Sequence, residues 1–274
     1  MSNGAIPPGN LPMTPAREVF ERLARRTWML IPLSHQFSCT FLETTFTDTN
    51  LLDIAAAQLP DVRVYKAHGS DEPEKGFDWE WWIGRPGRFW RYSVQAKLLK
   101  YVSQRYHSLR HAVAGQQQIE ILEDFSINQG TIPLYCFYNA ISDADAEAGW
   151  HCNLPRENAQ LGCTVVPLDA VRPYTEPWRR RSFANLHDDN RALPWRCLVS
   201  CPQLIDDPRG PLGPLHRDIE PLAQLPEFLM LEPITERGTI RAIDLPRELY
   251  GSELGGYPKN IGVIDVKGKR SANV

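Results

Sequence analysis

Asp78 and Glu80 stand two residues apart in "FDWEWWI", and Gln95 and Lys97 stand two apart in "RYSVQAKLL". On extended chain that spacing puts both members of a pair on one face. Carboxylates bind Mg²⁺ or Mn²⁺, hard cations that take oxygen ligands and keep several waters. Such an ion polarises a phosphate and helps turn water into hydroxide. A lysine offsets charge developing on the phosphorus centre or positions the attacking water. A third carboxylate, Glu43 in "ETTFTD", lies upstream. These residue types fit phosphodiester hydrolysis, with the Asp78 and Glu80 carboxylates holding a metal ion, Gln95 beside them and Lys97 as the catalytic cation. They also fit the wet face of an ordinary hairpin with cross-strand pairing, and Glu43 fits a carboxylate that serves a helix dipole.

Both pairs require adjacent strands. Alternation sets Phe77, Trp79, Trp81 and Ile83 against Asp78, Glu80 and Trp82 on the first strand. On the second it sets Tyr92, Val94, Ala96 and Leu98 against Ser93, Gln95 and Lys97, and "GRPGR" between them is a turn. Upstream, Thr14-Pro15 can cap and open a helix carrying Val19, Phe20, Leu23, Ala24 and Trp28, closed near Pro32. A second helix is expected around Phe37 and Phe41, a third from Thr47-Asp48 to Pro60, then a strand in "VRVYKA". Downstream, Val102, Tyr106, Leu109 and Val113 have helical spacing, and a further helix spans Gln118 to Gln129 and stops at Gly130. "PLYCFYN" reads as a strand buried on both faces.

The expected class is α/β, with a central mixed sheet flanked by helices. From residue 141 the pattern loosens, with short strands in "CTVVPLDAV", "WRCLVSC" and "RGTIRAIDL". The expected organisation is a flexible arm over 1–13, a core over 14–140, an extension over 141–265 packed on it, and a basic tail over 266–274.

The 274 residues are 42% hydrophobic and 23% charged, enough for a sizeable core. A net charge of -3 argues against binding nucleic acid through bulk positive charge, though not through a local basic groove. No stretch approaches the ~18 apolar residues of a membrane span. The start "MSNGAIPPGNLPMTP" lacks the basic and apolar regions of a signal peptide. A cytoplasmic location is therefore expected, with the six cysteines as free thiols.

The order of upstream acid, strand, D-x-E strand, turn, Q-x-K strand, helix and strand resembles the PD-(D/E)xK nuclease superfamily, over roughly Glu43 to Asn139. The resemblance implies a restriction-endonuclease-like core. Asp78 matches the acid of the second core strand, Gln95-Ala96-Lys97 the (D/E)-x-K of the third, and Glu43 the further acid that comes before the first. "VQAKLL" is most similar to the Mrr-like restriction endonucleases, in which Gln-x-Lys replaces Glu-x-Lys. This implies a Mg²⁺- or Mn²⁺-dependent nuclease acting on DNA rather than RNA, in defence against foreign DNA, with Asp78, Glu43, Glu80 and the Gln95 carbonyl oxygen as metal ligands. Phe77 stands where the superfamily has proline, and Gln95 carries no charge. The alternative is thus an inactive nuclease fold serving as a nucleic-acid-binding or scaffold subunit. The chain also resembles an uncharacterised bacterial family with a Gly-x-Asp-Trp-Glu-Trp-Trp core, which implies no activity of its own.

Several other features bear on partners. Lys100, Arg105 and Arg110 after the Q-x-K strand, and Arg179, Arg180 and Arg181 after Trp178, are candidate phosphate contacts or solvated loops. Trp79 and Trp81 are expected in the core rather than as stacking platforms, and Trp82 shares the Asp78 face. Cys152, Cys163, Cys197 and Cys201, with His151 as an alternate ligand, lack the paired short spacings of a zinc site, so buried thiols are expected instead. His107 and His111 lack the adjacent glutamate of a zinc-protease helix. No targeting motif accompanies the Q-x-K region, so recognition is expected from residues 141–274, a second copy or a partner protein.

Overall fold

The computed structural model describes residues 13–66, 75–142, 146, 149–213 and 218–229. The expected strand "RGTIRAIDL", most of the N-terminal arm and the basic tail lie outside these. The chain divides into two units, 1–225 and 226–274. The described part of the second contains a short 3-10 turn, Glu227–Leu229. All that follows concerns the first.

Helix α1 (Pro15–Gln36) begins as the sequence predicts: Thr14 Oγ1 accepts from Arg17 N at 3.1 Å and Pro15 takes the first turn. It does not stop at Pro32. The last turn is held by Ile31, buried in the core, and by Phe37 N donating to Leu33 O at 3.0 Å. The expected helix around Phe37 and Phe41 is absent, because Ser38 turns left-handed at φ 53°. Helix α2 (Glu43–Ala56) starts four residues before Thr47, so Glu43 becomes its first residue.

Six strands form the main sheet, in the order β1 (Val62–Lys66), β2 (Trp79–Arg85), β3 (Arg88–Leu98), β6 (Ile132–Tyr138), β7 (Cys163–Pro167) and β8 (Leu193–Pro194). β3 and β6 run parallel, joined through helix α3 (Gln118–Gln129), and the other neighbours are antiparallel. The mixed sheet flanked by helices is the class expected. β7 and β8 come from beyond residue 140, so the segment expected as an extension completes the same sheet.

The β2–β3 hairpin closes on Arg85↔Arg88, with Gly87 at φ 87° in the turn, a conformation that favours glycine. Gly130 at φ 62° caps α3 where the sequence predicts its end. Two other elements differ from expectation. Residues 102–113 are not one helix. Gln104 is left-handed at φ 50°, and the chain makes a 3-10 turn (His107–Arg110) and a hairpin of β4 (Ala112–Val113) with β5 (Gln116–Gln117). "WRCLVSC" is not a strand but contains helix α6 (Cys197–Ser200). Its run of apolar residues is buried throughout, so periodicity could not separate the two.

Each face of the sheet has its own core. On one, Trp79, Trp81, Tyr92, Val94 and Ala96 pack with Phe20 and Leu23 of α1, Phe46 and Ile54 of α2, and Trp195. On the other, Tyr135 and Phe137 pack with Ile119 and Leu122 of α3, Leu168 and Val171 of α4 (Leu168–Val171), and Phe183 and Leu186 of α5 (Phe183–Leu186). Phe77 belongs to this second core, 4.8 Å from Phe125 between ring centres, and not to the Trp79 face. It precedes β2, after Gly76 at φ 70°, so strand alternation does not reach it. Trp79 and Trp81 are core residues, as expected. Among the described residues no helix is long and apolar enough to cross a membrane.

Candidate functional site

The hairpin register decides which polar groups meet. Trp79 pairs with Val94, Glu80 with Ser93 and Trp82 with Arg91. Asp78, one residue before β2, anchors there: its N–H donates to Val94 O at 2.9 Å. Its Oδ2 accepts from Gln95 Nε2 at 2.7 Å and from Ala96 N at 2.5 Å. The strand-two acid and the Q-x-K glutamine are thus in direct contact. Gln95 is buried, and its Oε1 has no hydrogen-bond partner among the described residues. An orphaned buried acceptor is costly unless something satisfies it.

Lys97 follows two residues on, on the same face, and is only 3% exposed. Its Nζ donates to Gln118 Oε1 at 3.0 Å and lies 3.9 Å from Glu43 Oε1. Glu43 Oε2 accepts from Leu98 N at 3.0 Å. The upstream acid reaches β3 because α2 starts at Glu43, which aims the first residue of that helix at the strand end. Asp78, Gln95, Lys97 and Glu43 therefore gather along the last residues of β3.

Glu80 has a different environment. Its side chain is 2% exposed and its Oε1 accepts from Arg91 Nε at 3.1 Å and Nη2 at 2.7 Å. Arg91 in turn lies 5.0 Å from the centre of the Trp82 ring. Burial raises the Glu80 carboxyl above its ordinary range, and the Arg91 charge opposes that. Ser93, bonded to Thr131 at 2.7 Å, stands between this pair and Gln95. Sharing a face with Asp78 does not bring Glu80 to the Lys97 end: its carboxylate serves Arg91.

The sequence reading missed three residues at the site. Gln118, first in α3, fixes the Lys97 ammonium, and only tertiary packing reveals it. Arg91 was legible: the alternation of Ser93, Gln95 and Lys97 extends back to it. Tyr135 pairs with Gln95 across the parallel β3–β6 register, and its buried hydroxyl has no partner among the described residues. Burial, then the negative charges of Asp78 and Glu43, push its phenol up, so it stays protonated.

The candidate phosphate contacts fall into two places. Arg105, Arg179, Arg180 and Arg181 line one open cleft of about 300 Å³ with Tyr106, His107 and Pro177. Tyr106 N donating to Arg181 O at 2.9 Å ties the two segments together. Arg105, Arg179 and Arg180 make no ion pair among the described residues. Burial, and then the neighbouring charge of Arg110, lower the Arg181 pKa. Lys100 instead lines a second cleft of about 360 Å³ beside Leu98 and Phe41, and its N–H donates to Arg105 O at 3.0 Å. His107 and His111 share no helix, so they form no metal-binding pair at one turn's spacing.

Of the cysteines, Cys152, Cys197 and Cys201 converge, with ligand atoms all within 4.8 Å of one another. Cys163 stands apart and donates to Thr27 Oγ1 at 3.4 Å. His151 is turned away, its Nε2 bonded to His187 O at 2.7 Å.

Residues 16–227 match a family described as "Family of unknown function (DUF6615)", and the chain belongs to it. No curated protein matches the chain.

Proposed function

We propose that this DUF6615 member is a divalent-cation-dependent nuclease that hydrolyses phosphodiester bonds in DNA. The observation that carries the reading is the gathering of Asp78, Gln95, Lys97 and Glu43 along the end of β3, through contacts of 2.7 Å (Asp78–Gln95) and 3.9 Å (Lys97–Glu43). The donors are hard oxygens, the class that Mg²⁺ and Mn²⁺ take. The orphaned Gln95 Oε1 is the kind of acceptor that a cation or its bound water satisfies. Asp78, Glu43 and Gln95 would hold the ion. When bound it supplies Lewis-acid polarisation of the phosphate and a lowered pKa for water.

The chain's own residues do the rest. Lys97 is buried and fixed by Gln118, so its charge meets the developing phosphorane without reorganising. Glu43 stands beside it, 3.9 Å from the ammonium. Tyr135 keeps its proton and offers a hydroxyl donor beside Gln95. The arginine cleft would hold backbone phosphates away from the reacting bond, giving register without reading bases. The reading carries with it a cytoplasmic location, a role in defence against foreign DNA, and targeting by a second copy or a partner protein.

The test is cleavage of supercoiled and linear DNA, and of RNA, by the purified chain in Mg²⁺ or Mn²⁺. Cleavage should vanish with chelator and fall at least ~100-fold in Asp78→Ala and Lys97→Ala, with the melting temperature little changed. Full activity in either variant overturns the assignment, and cleavage of RNA alone overturns the substrate. One observation favours a second reading. The Gln95 amide donates to Asp78 Oδ2 and so engages a ligand oxygen, as suits a nuclease fold kept for binding. That reading expects salt-sensitive DNA binding without cleavage, independent of divalent cation.

A further inference from the structure

The three converging cysteines lie on the opposite face of the sheet from Lys97. Cys197 opens α6, and Cys201 closes it and leads into α7 (Pro202–Asp206). The pair is four residues apart, one helical turn, so both sulfurs point the same way. Cys152 comes from the segment after β6, and Cys197 Sγ lies 3.1 Å from Cys152 Sγ. Three sulfurs each about 2.3 Å from one ion lie about 4 Å apart, which is within the 4.8 Å span of this group.

The surrounding charge is the second observation. Arg196 is 2% exposed; its Nη1 binds Glu21 Oε1 at 2.8 Å and its Nη2 binds Pro155 O at 2.8 Å. The same Nη2 reaches Cys152 Sγ at 4.0 Å. Glu21 must also serve Arg17, whose Nε lies 2.8 Å from the same Oε1, while Arg25 shares itself with Glu157. The buried Arg196 guanidinium therefore stands beside the sulfurs. A divalent ion on three thiolates carries one negative charge, which a guanidinium at that place favours.

We propose that Cys152, Cys197 and Cys201 form a tris-thiolate site for one zinc ion, which clasps the segments around residues 152 and 197–201 to α1 through Arg196 and Glu21. No fourth His, Cys, Asp or Glu joins the group among the described residues. Cys201 is the partly exposed member, so the fourth position is left to water or another small ligand. The site is independent of the proposed nuclease centre: its ligands are soft sulfurs rather than hard oxygens.

Elemental analysis of the full chain, purified under reducing conditions without chelator, should find about one zinc per chain. The zinc should be retained in Asp78→Ala and lost in Cys197→Ser and Cys201→Ser. If those variants fail to fold, the wild-type chain, stripped and refilled with Co²⁺, decides: intense sulfur-to-cobalt charge-transfer absorption supports the site. A chain that takes up neither metal overturns the proposal. So does preference for Cu(I) over zinc, or a Cys152–Cys197 disulfide seen as a loss of two hydrogens in the intact mass.

Discussion

The sheet separates two kinds of donor. On the α3 face, Asp78, Gln95, Lys97 and Glu43 offer hard oxygens and a fixed ammonium; on the α1 face, Cys152, Cys197 and Cys201 offer soft sulfurs beside Arg196. The first cluster is built on the end of β3, with Asp78 from the start of the hairpin and Glu43 from the start of α2, and Glu43 remains a quarter exposed at its edge, 26% by side chain. The second is drawn from a loop and a short helix, with Cys152 and Cys197 buried and Cys201 partly exposed. Oxygens and an ammonium held on a strand end suit the proposed chemistry, whereas a sulfur knot between irregular segments suits holding them together. Donor hardness keeps the two from competing for one ion.

The largest expected effect separates the clusters outright. Lys97→Met should cut cleavage by about 10²–10³-fold, and it should leave stability unchanged or raised, since it removes a buried charge along with its need for partners. Denaturant titration beside the cleavage assay checks both halves; a large loss of stability would make Lys97 a structural residue rather than a catalytic one. Next comes the pair that shares the Asp78 face without joining its site. Arg91→Ala strands the Glu80 carboxylate in the core and should cost about 3 kcal/mol. Glu80→Gln should cost less and leave cleavage nearly intact. If Glu80→Gln abolishes cleavage at unchanged stability, Glu80 belongs to the reacting centre after all.

Acid should weaken the α3 face. His187 is buried, with Nδ1–H donating to Phe183 O at 3.0 Å and Nε2 accepting from Thr164 Oγ1 at 2.7 Å, and burial holds its pKa down to about 3. The unfolded imidazole titrates near ~6.5, so its contribution is fully present above that pH. It is lost as pH falls toward 3, by up to ~1.4 kcal/mol per unit. Urea midpoints between pH 7 and 4, compared with His187→Gln, would reveal this slope. The smallest effect is expected at the arginine cleft. Arg180→Ala should weaken DNA binding evenly across sequences and reduce the salt slope by about one unit.

Strand alternation is local, so the sequence alone determined that Asp78, Gln95 and Lys97 share a face, that Trp79 and Trp81 floor the hairpin, and that α3 ends at Gly130. It also determined the mixed α/β class, since apolar runs and alternating runs follow one another in a set order. Period-two patterning assigns faces but names no partner across space. Only the tertiary structure decided that Glu80 serves Arg91, that Gln118 holds Lys97, and that α2 starts early enough to deliver Glu43 to Leu98. The cysteines mark the limit most sharply. Cys152 and Cys197 are far apart along the chain with no spacing rule between them, and "WRCLVSC" is apolar enough for strand or helix. Burial on both sides erases the period that would tell them apart, so only packing could bring those sulfurs together.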